Sequence, residues 1–446
     1  MTTKNEHEKA GAVYVNDYAT MVVPRDKRRS SFSLAMVLVG SIICLSSIYT
    51  GASFAGGLNF KGVIIACLVG NIILTVIGGL LSYIGTRTGV GIAMLMRNGF
   101  GVLGNYIIAV LTAIVELGWF GWQCGFFGNT IHAMFPNAGM ITDPTIAGIW
   151  GGFLMMITAY FGYKGLEILS DVAAPLILIM CMIGCGIGIS RVGGLDAFNQ
   201  ITIESAGGMT IATGIVSVIG AYAMGAVLQP DLTRYGKKES HSVIGAAFGF
   251  IIANSFVILA GYIMCVVANT SDVSVALLEI LGAWSLLMLI FAQWTTNDNN
   301  LYFSSLAATV AFPKFKKKHI VIVFGIIATI AGAFGIVDLF TAWLGLLGTG
   351  IPPVAGILIL DYFVIKKQKY EFGEGVKHRF CSVPAVVAWA AACIVGYSVH
   401  WGISAVNSMV VAGIVYIALH AVLKNSDKLY IGGTYAEDRR GALEKI

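Results

Sequence analysis

Four side chains able to bind a small polar molecule recur at helical spacing in the apolar segment "TAIVELGWFGWQCG". Residues at i, i+4, i+7 and i+11 share one face of an α-helix, and the set is Thr112, Glu116, Trp119 and Gln123. A carboxylate in an apolar segment is costly to bury, so it indicates a functional site that faces a cavity. Trp119 adds a flat π surface, and Gln123 adds a hydrogen-bond donor and acceptor. The face predicts a binding site, although membrane proteins also use tryptophan for packing and anchoring.

A second polar cluster lies in "QWTTNDNNLYF", which follows the apolar run "LGAWSLLMLIFA". The hydroxyls of Thr295 and Thr296 are hard oxygen ligands of the kind that suits a small cation such as Na⁺. Backbone carbonyls around Gly40 and Ile43, in an interrupted segment, would complete such a site. The alternative is a polar cap at a helix end, which applies best to three neighbours, Asp298, Asn299 and Asn300.

The composition shows which elements must position these residues. Of 446 residues, 57% are hydrophobic and 11% are charged, whereas a soluble domain carries about 25% charged residues. Apolar stretches of about 20 residues predict membrane-spanning helices. We therefore expect an all-α integral membrane protein with about twelve transmembrane helices. The predicted spans are 33–55, 61–84, 102–127, 146–162, 170–190, 209–229, 241–267, 276–296, 319–336, 338–364, 384–402 and 405–423.

The distribution of positive charge supports this arrangement. If both termini are cytoplasmic and the span number is even, all but two of the 28 Lys and Arg residues fall on the cytoplasmic side. The exceptions are Lys61 and Arg191. Because Lys and Arg collect in cytoplasmic loops, the net charge of +5 indicates topology rather than nucleic-acid binding. The polar N-terminus lacks an apolar h-region, so we expect no cleavable signal peptide.

Two predicted spans are interrupted by glycine. The first contains "LVGSIICLSSIYTGASFAGG" and the sixth contains "IVSVIGAYAMGAVLQPD". They occupy equivalent places in two five-span halves, and such matching interruptions predict a transporter's midplane site. The alternative is that most of the 55 glycines serve close helix packing. Tyr222 follows Gly220 in the predicted unwound part, where its ring would cover a ligand held by Trp119 or simply pack.

Several activities lack their sequence signatures. The chain has no Walker motif, GxSxG elbow or HExxH pair, so we expect neither an ATP-driven pump nor a hydrolase. The eight cysteines include no CxxC pair and lie mostly in spans, which predicts apolar packing residues rather than ligands or disulfides. We expect no enzyme activity.

Four motifs, "GWFG", "PDLTRYG", "WTTNDNNLY" and "GIPPVAGILILDYF", resemble the nucleobase:cation symporters and in particular their cytosine permease branch. The resemblance runs from about Arg28 to Leu423. It implies the leucine-transporter-type fold, with two inverted five-span repeats, broken first and sixth spans and two extra spans, working by alternating access. The implied division is a cytoplasmic segment 1–30, a transporter domain 31–424 and a cytoplasmic tail 425–446. Within that domain the repeats cover about 33–190 and 209–364, and the extra spans cover 384–423.

The resemblance also implies roles for individual residues. Trp119 and Tyr222 match two aromatics that sandwich the base. The implied cation ligands are the carbonyls of Gly40, Ile43 and Ala292 and the hydroxyls of Thr295 and Thr296. Asn297 matches a polar residue of the substrate region, and Gln123 matches a substrate-binding glutamine of hydantoin-transporting relatives. The chain departs from cytosine permeases at Glu116, where they carry glutamine, and at Ala221 and Met224, where they carry serines.

Together these features predict a symporter in the plasma membrane that imports a nucleobase or related flat nitrogen heterocycle, coupled to Na⁺. The candidate substrates are cytosine, a purine, a hydroxymethyl-aminopyrimidine and a hydantoin. The alternative is a proton-coupled transporter in which Glu116 carries the proton, and a channel or non-transporting sensor is a more remote one. Apart from the coupling ion we expect no cofactor. The expected partners are the substrate and the lipid bilayer, without nucleic acid or an obligatory protein partner.

Overall fold

The computed structural model describes residues 21–161, 164–311, 315–373 and 375–436. The predicted segment 1–30 and tail 425–446 therefore lie partly outside the described residues. The described chain is mainly helical, and its two strands, Lys377–Ser382 (β1) and Tyr430–Ala436 (β2), pair antiparallel.

Helices occupy every segment of the first predicted half. Their bounds are Ser31–Ile42 (α1), Leu45–Ala52 (α2), Phe60–Thr88 (α3), Ile92–Gly99 (α4), Leu103–Met134 (α5), Pro144–Phe161 (α6), Lys164–Arg191 (α7) and Leu195–Ser205 (α8).

The remaining helices follow the other predicted segments. Their bounds are Ile211–Val227 (α9), Gln229–Thr233 (α10), Glu239–Val267 (α11), Val273–Leu281 (α12), Ala283–Ala311 (α13), Lys317–Ala333 (α14), Phe340–Ile365 (α15), Val383–Ser398 (α16) and Ser404–Leu423 (α17). Short 3₁₀ turns add four further pieces, Arg25–Lys27, Met140–Thr142, Ile336–Leu339 and Asp427–Leu429.

Several of these helices are suited to a membrane. Among the described residues, five are long and apolar enough to cross one, namely α3, α5, α11, α15 and α17. Two bent pairs raise the number to seven: α1 with α2, at 43°, and Pro175–Arg191 with Leu195–Glu204, at 83°. The chain is therefore a multi-pass membrane protein, because such helices satisfy their backbone hydrogen bonds internally.

The first predicted interruption is present and the sixth is not where we expected it. The first span breaks between α1 and α2, at Ile43 and Cys44. In the sixth span, however, α9 runs through Gly220 without interruption and ends before a turn at Leu228. A Cβ on Gly220 would lie 1.9 Å from the carbonyl oxygen of Leu344. Gly220 thus permits close packing of α9 on α15, and the expectation that Tyr222 lies in unwound backbone is wrong.

The polar stretch at the eighth predicted span is also placed differently. The expected span 276–296 is divided by Gly282, whose φ of 78° ends α12 and allows α13 to begin. Thr295 and Thr296 therefore lie inside α13 rather than at a helix end. Asp298 is only 3% exposed, so the helix-cap interpretation is wrong for it.

A buried polar network joins three helices of the interior and was not anticipated from the sequence. Asn254 ends a π-helical segment within α11. Its amide oxygen accepts a 2.6 Å hydrogen bond from Ser47 of α2, and its amide nitrogen donates one of 2.7 Å to Asn71 of α3. The Asn71 amide donates in turn to Ser255, at 2.9 Å. The network ties the second half of the first span to α3 and α11.

Candidate substrate and cation site

The predicted polar face exists on α5. Gln123 is 2% exposed, Thr112 7% and Trp119 8%, while Glu116 is half-buried. No hydrogen bond or ion pair joins Glu116 to another of the residues that the structure describes. Since a carboxylate within a membrane helix needs a compensating partner, Glu116 is available to a ligand or a proton.

Trp119 belongs to an aromatic cluster that includes residues missed from the sequence. Its ring contacts Trp122, Phe340 and Trp343 edge-on, with centroid distances of 5.9, 6.2 and 6.4 Å. Trp343 lies this close because residue 118 is glycine, where a Cβ would stand 2.5 Å from the indole. These edge-to-face contacts fix the orientation of the Trp119 ring.

Tyr222 connects α9 to the break in the first span. Its hydroxyl donates a 2.7 Å hydrogen bond to the carbonyl of Ser41, two residues before Ile43. The ring lies over Gly225, where a Cβ would stand 2.3 Å from it. Beyond the break, Tyr49 of α2 contacts Trp122 of α5 edge-on, with a centroid distance of 4.8 Å. The broken first span therefore contacts both α9, which carries Tyr222, and α5, which carries the polar face.

Trp119 and Tyr222 do not touch. The ring of Tyr222 contacts Phe250 of α11 at 5.3 Å, whereas Trp119 contacts the cluster on α5 and α15.

Several buried polar atoms near this face lack a protein partner. The Oε1 atom of Gln123 and the Nε1 atoms of Trp122 and Trp343 form no hydrogen bond within the described part of the chain. A buried polar atom left unpaired costs about 1–3 kcal/mol. The three atoms are one acceptor and two donors, the kinds of group that bind a polar heterocycle.

Three of the predicted cation ligands meet inside α13. The hydroxyls of Thr295 and Thr296 both donate to the carbonyl of Ala292, at 3.0 and 2.9 Å. Each hydroxyl oxygen keeps lone pairs for a cation after this donation. The cluster consists of neutral hard oxygens, the type that Na⁺ accepts.

Gly40 and Ile43 flank the break in the first span. Ile43 (φ −78°, ψ 102°) and Cys44 (φ −139°, ψ 161°) have extended backbone, so carbonyls at the end of α1 leave the helical ladder. A Cβ on Gly40 would have no atom within 4 Å. The second half of the span, α2, contacts α13. Broken backbone and the threonine pair are thus on neighbouring elements.

Asn297 faces a different part of α5. Its amide donates to the Phe120 carbonyl and to the sulfur of Met155, both at 3.2 Å. Phe120 is one residue past Trp119, about 100° around the helix. In this conformation Asn297 therefore holds α5, α6 and α13 together.

The fold and the site define a multi-pass membrane transport protein. A broken membrane span beside unpaired polar side chains is the arrangement that transporters use to bind solutes and ions.

A family model described as "Permease for cytosine/purines, uracil, thiamine, allantoin" matches residues 22–419, and the chain belongs to that family. The protein is therefore a permease rather than an enzyme. Cytosine permease of Escherichia coli (strain K12) is 29% identical over 413 residues, covering 92% of this chain and 95% of the relative. Hydantoin permease of Microbacterium maritypicum is 22% identical over 369 residues, covering 76% and 73%.

Solved structures support the fold. The inward-facing conformation of Mhp1 superposes with a TM-score of 0.80 at 19% identity, covering 92% of this chain and 94% of that one. The closed conformation of Mhp1, a nucleobase-cation-symport-1 family transporter, with bromovinylhydantoin bound gives 0.74 at 19% identity, covering 91% and 96%. At this level of identity the likeness establishes the fold.

Proposed function

We propose that this protein is a secondary active symporter that imports a nucleobase or related flat nitrogen heterocycle together with Na⁺. The observation that carries the proposal is that the broken first span meets both aromatic elements of the site: the Ser41 carbonyl accepts a hydrogen bond from Tyr222, and Tyr49 contacts Trp122 of α5 edge-on at 4.8 Å. Membership of a family of permeases for cytosine, purines and related compounds supports the substrate class.

In the proposed mechanism the base lies between the rings of Trp119 and Tyr222. Stacking on an aromatic ring is worth about 1–3 kcal/mol per base. Glu116 and Gln123 bind the polar edge of the base. Asn297 closes the substrate region when the helices rearrange. An ionised carboxylate accepts two hydrogen bonds side by side, so Glu116 favours a ligand with adjacent N–H groups.

The proposed cation site combines the carbonyls of Gly40, Ile43 and Ala292 with the hydroxyls of Thr295 and Thr296. Na⁺ bound there would join the first span to α13. The Ser41 carbonyl, between Gly40 and Ile43, already accepts the Tyr222 hydroxyl. Cation and substrate therefore act on one short segment, which is the physical basis for coupling them.

We further propose twelve spans in a 5+5 inverted repeat plus two extra spans, working by alternating access. The domain is 31–424, and both termini, 1–30 and 425–446, lie on the cytoplasmic side of the plasma membrane. The distribution of Lys and Arg supports this orientation.

The second candidate is proton coupling through Glu116, favoured by the lack of a protein partner for this carboxylate among the described residues. Uptake of a labelled base into proteoliposomes separates the two. An imposed Na⁺ gradient should drive accumulation, and a pH gradient alone should not. Accumulation driven only by the pH gradient would reassign the coupling ion to H⁺. Uptake that equilibrates without responding to either gradient would contradict symport.

The heterocycle itself is found by a thermal-shift screen of the purified protein. The panel is cytosine, adenine, guanine, hypoxanthine, a hydantoin and hydroxymethyl-aminopyrimidine. A ligand that binds the folded state but not the unfolded state raises the melting temperature of the protein. If none of the panel does so at millimolar concentration, the substrate class is wrong.

A further inference from the structure

A basic cleft lies away from the substrate site, where the chain enters the first span. It encloses about 640 Å³, and its lining residues are Arg25, Arg28, Thr86, Arg87, Lys237 and Glu239. They come from the segment before α1, the end of α3, the loop before α11 and the first residue of α11. None belongs to α5 or α13, which carry Glu116 and the threonine pair. The cleft is therefore a separate feature of the molecule.

The charges around the basic cleft do not balance. Arg87 and Glu239 form an ion pair at 3.3 Å. Across the described residues, no acidic side chain lies within ion-pair distance of Arg25, Arg28 or Lys237. The cavity thus collects three cationic groups that form no ion pair with any described residue, and its one lining carboxylate, Glu239, is paired with Arg87.

Arg28 is held firmly at the centre of this arrangement. One guanidinium nitrogen donates to the carbonyls of Thr86 and Gly236, at 2.9 and 3.2 Å, and Nε donates to the carbonyl of Val23 at 3.4 Å. Carbonyls orient the guanidinium but do not neutralise it. Partial burial and the nearby Arg25 charge lower the pKa of Arg28. The repulsion between the two arginines is a cost that a bound anion would remove.

The helix that follows the basic segment begins with an apolar face. Phe32 and Met36 lie one turn apart on α1, and they are 78% and 58% exposed. Residues at i and i+4 share a helix face, so this face presents two large side chains to the bilayer directly after the basic segment. The cleft therefore stands at the boundary between membrane and water.

We propose that the basic cleft binds the phosphate group of an anionic phospholipid. Guanidinium groups recognise phosphate through paired, charge-assisted hydrogen bonds. Anionic lipids are enriched in the cytoplasmic leaflet, the side to which the distribution of Lys and Arg assigns this end of the chain. The acyl chains would lie along Phe32 and Met36. A free phosphate compound shares the headgroup chemistry and is separated from lipid by the experiment.

Binding would fasten the segment before α1 to its neighbours. That segment already pairs with the rest of the molecule through two backbone hydrogen bonds, Arg29 to Tyr235 at 2.7 Å and Val23 to Gly89 at 2.8 Å. An anion shared by Arg25, Arg28 and Lys237 would add a link between the same parts. The ligand should therefore raise thermal stability.

The test uses the purified full-length protein in a neutral detergent at fixed ionic strength. Its melting temperature is followed while dioctanoyl phosphatidylglycerol, dioctanoyl phosphatidylcholine or inorganic phosphate is added. The anionic lipid should stabilise the protein in a saturable manner and the zwitterionic lipid should not. Inorganic phosphate at equal concentration could instead give saturable stabilisation while the lipid gives none. That result would support an anion site but overturn its assignment to lipid.

Matched variants locate the effect. Arg25→Gln with Lys237→Gln removes two cleft charges that form no ion pair with a described residue. Lys27→Gln with Lys238→Gln removes the same charge from the same two segments, outside the cleft lining. The cleft variant should lose affinity for the anionic lipid by roughly tenfold or more, and the control should lose much less. Equal losses would show attraction to general surface charge and overturn the proposal.

A third variant separates binding from folding. Arg25→Lys with Lys237→Arg keeps both charges and should retain saturable stabilisation by the anionic lipid. If the charge-retaining variant binds and the neutral one does not, the loss is electrostatic. If the native protein shows no saturable stabilisation by either phosphate probe, the site does not exist.

Discussion

The hydroxyl of Tyr222 donates a 2.7 Å hydrogen bond to the carbonyl of Ser41, which joins α9 to the last turn before the break in the first span. Ser41 lies between Gly40 and Ile43, whose carbonyls we propose as cation ligands. A residue that we propose to stack on the substrate is therefore bonded to the backbone that we propose to bind the cation.

Tyr222→Phe should weaken cation coupling more than substrate stacking, because the ring remains and only the bond to Ser41 is lost. Such a bond is worth about 0.5–1.5 kcal/mol. The Na⁺ concentration for half-maximal substrate binding should rise roughly two- to tenfold. The control is Tyr397→Phe, which removes an equally long bond to the carbonyl of Leu346. Equal changes in both variants would contradict the link.

Trp119→Ala should abolish measurable substrate binding while the protein stays folded and inserted. Loss of one stacking partner costs about 1–3 kcal/mol, or roughly five- to 150-fold in affinity. Substrate affinity is measured by thermal shift or equilibrium binding on purified protein. Trp401→Ala removes a tryptophan that is 78% exposed and should leave affinity unchanged. Unchanged affinity in Trp119→Ala would refute the stacking model.

Thr296→Ala should raise the Na⁺ concentration for half-maximal binding, because it removes one hard oxygen ligand. Substrate affinity should then fall through linkage and recover in part at high Na⁺. Thr296→Ser keeps the hydroxyl and should behave like the native protein. Thr309→Ala removes a hydroxyl that bonds to Leu306 in the same helix, so it serves as a control. If uptake by the native protein is indifferent to Na⁺, this assignment fails.

Glu116→Gln should shift the substrate preference toward cytosine and lower the affinity for the native ligand roughly tenfold. A carboxylate favours two adjacent donors on the ligand, whereas an amide favours one donor beside one acceptor. Charge-assisted bonds are also about twice as strong as neutral ones. Competition by cytosine, adenine, guanine, hypoxanthine and aminopyrimidines is measured against both proteins. An identical ranking would mean that Glu116 does not face the ligand.

A different result would identify another role for Glu116. If Glu116→Gln binds the native ligand normally but loses pH-dependent uptake, the carboxylate carries a proton. The same competition assay, performed with uptake at several pH values, distinguishes the two roles.

The sequence alone determined the features that depend on local geometry and composition. The helical period placed Thr112, Glu116, Trp119 and Gln123 on one face, because residues at these spacings share a face in any α-helix. The apolar runs predicted the positions of the helices. A bilayer requires long apolar segments whose backbone hydrogen bonds are made within the segment. The first-span break was predicted correctly near Gly40 and Ile43, where the carbonyls leave the helical ladder.

Tertiary structure decided the features that depend on what each element meets. A glycine in a helix permits either unwinding of the backbone or close approach of a neighbouring helix. At Gly220 the structure shows close approach, because the Leu344 carbonyl lies where a side chain would be. The polar run in α13 stays helical because its side chains find partners on other helices. Asp298 accepts a hydrogen bond from Thr158 at 2.7 Å, and Asn297 donates to Phe120. Since these partners lie more than a hundred residues away in the chain, local sequence patterns could not reveal them.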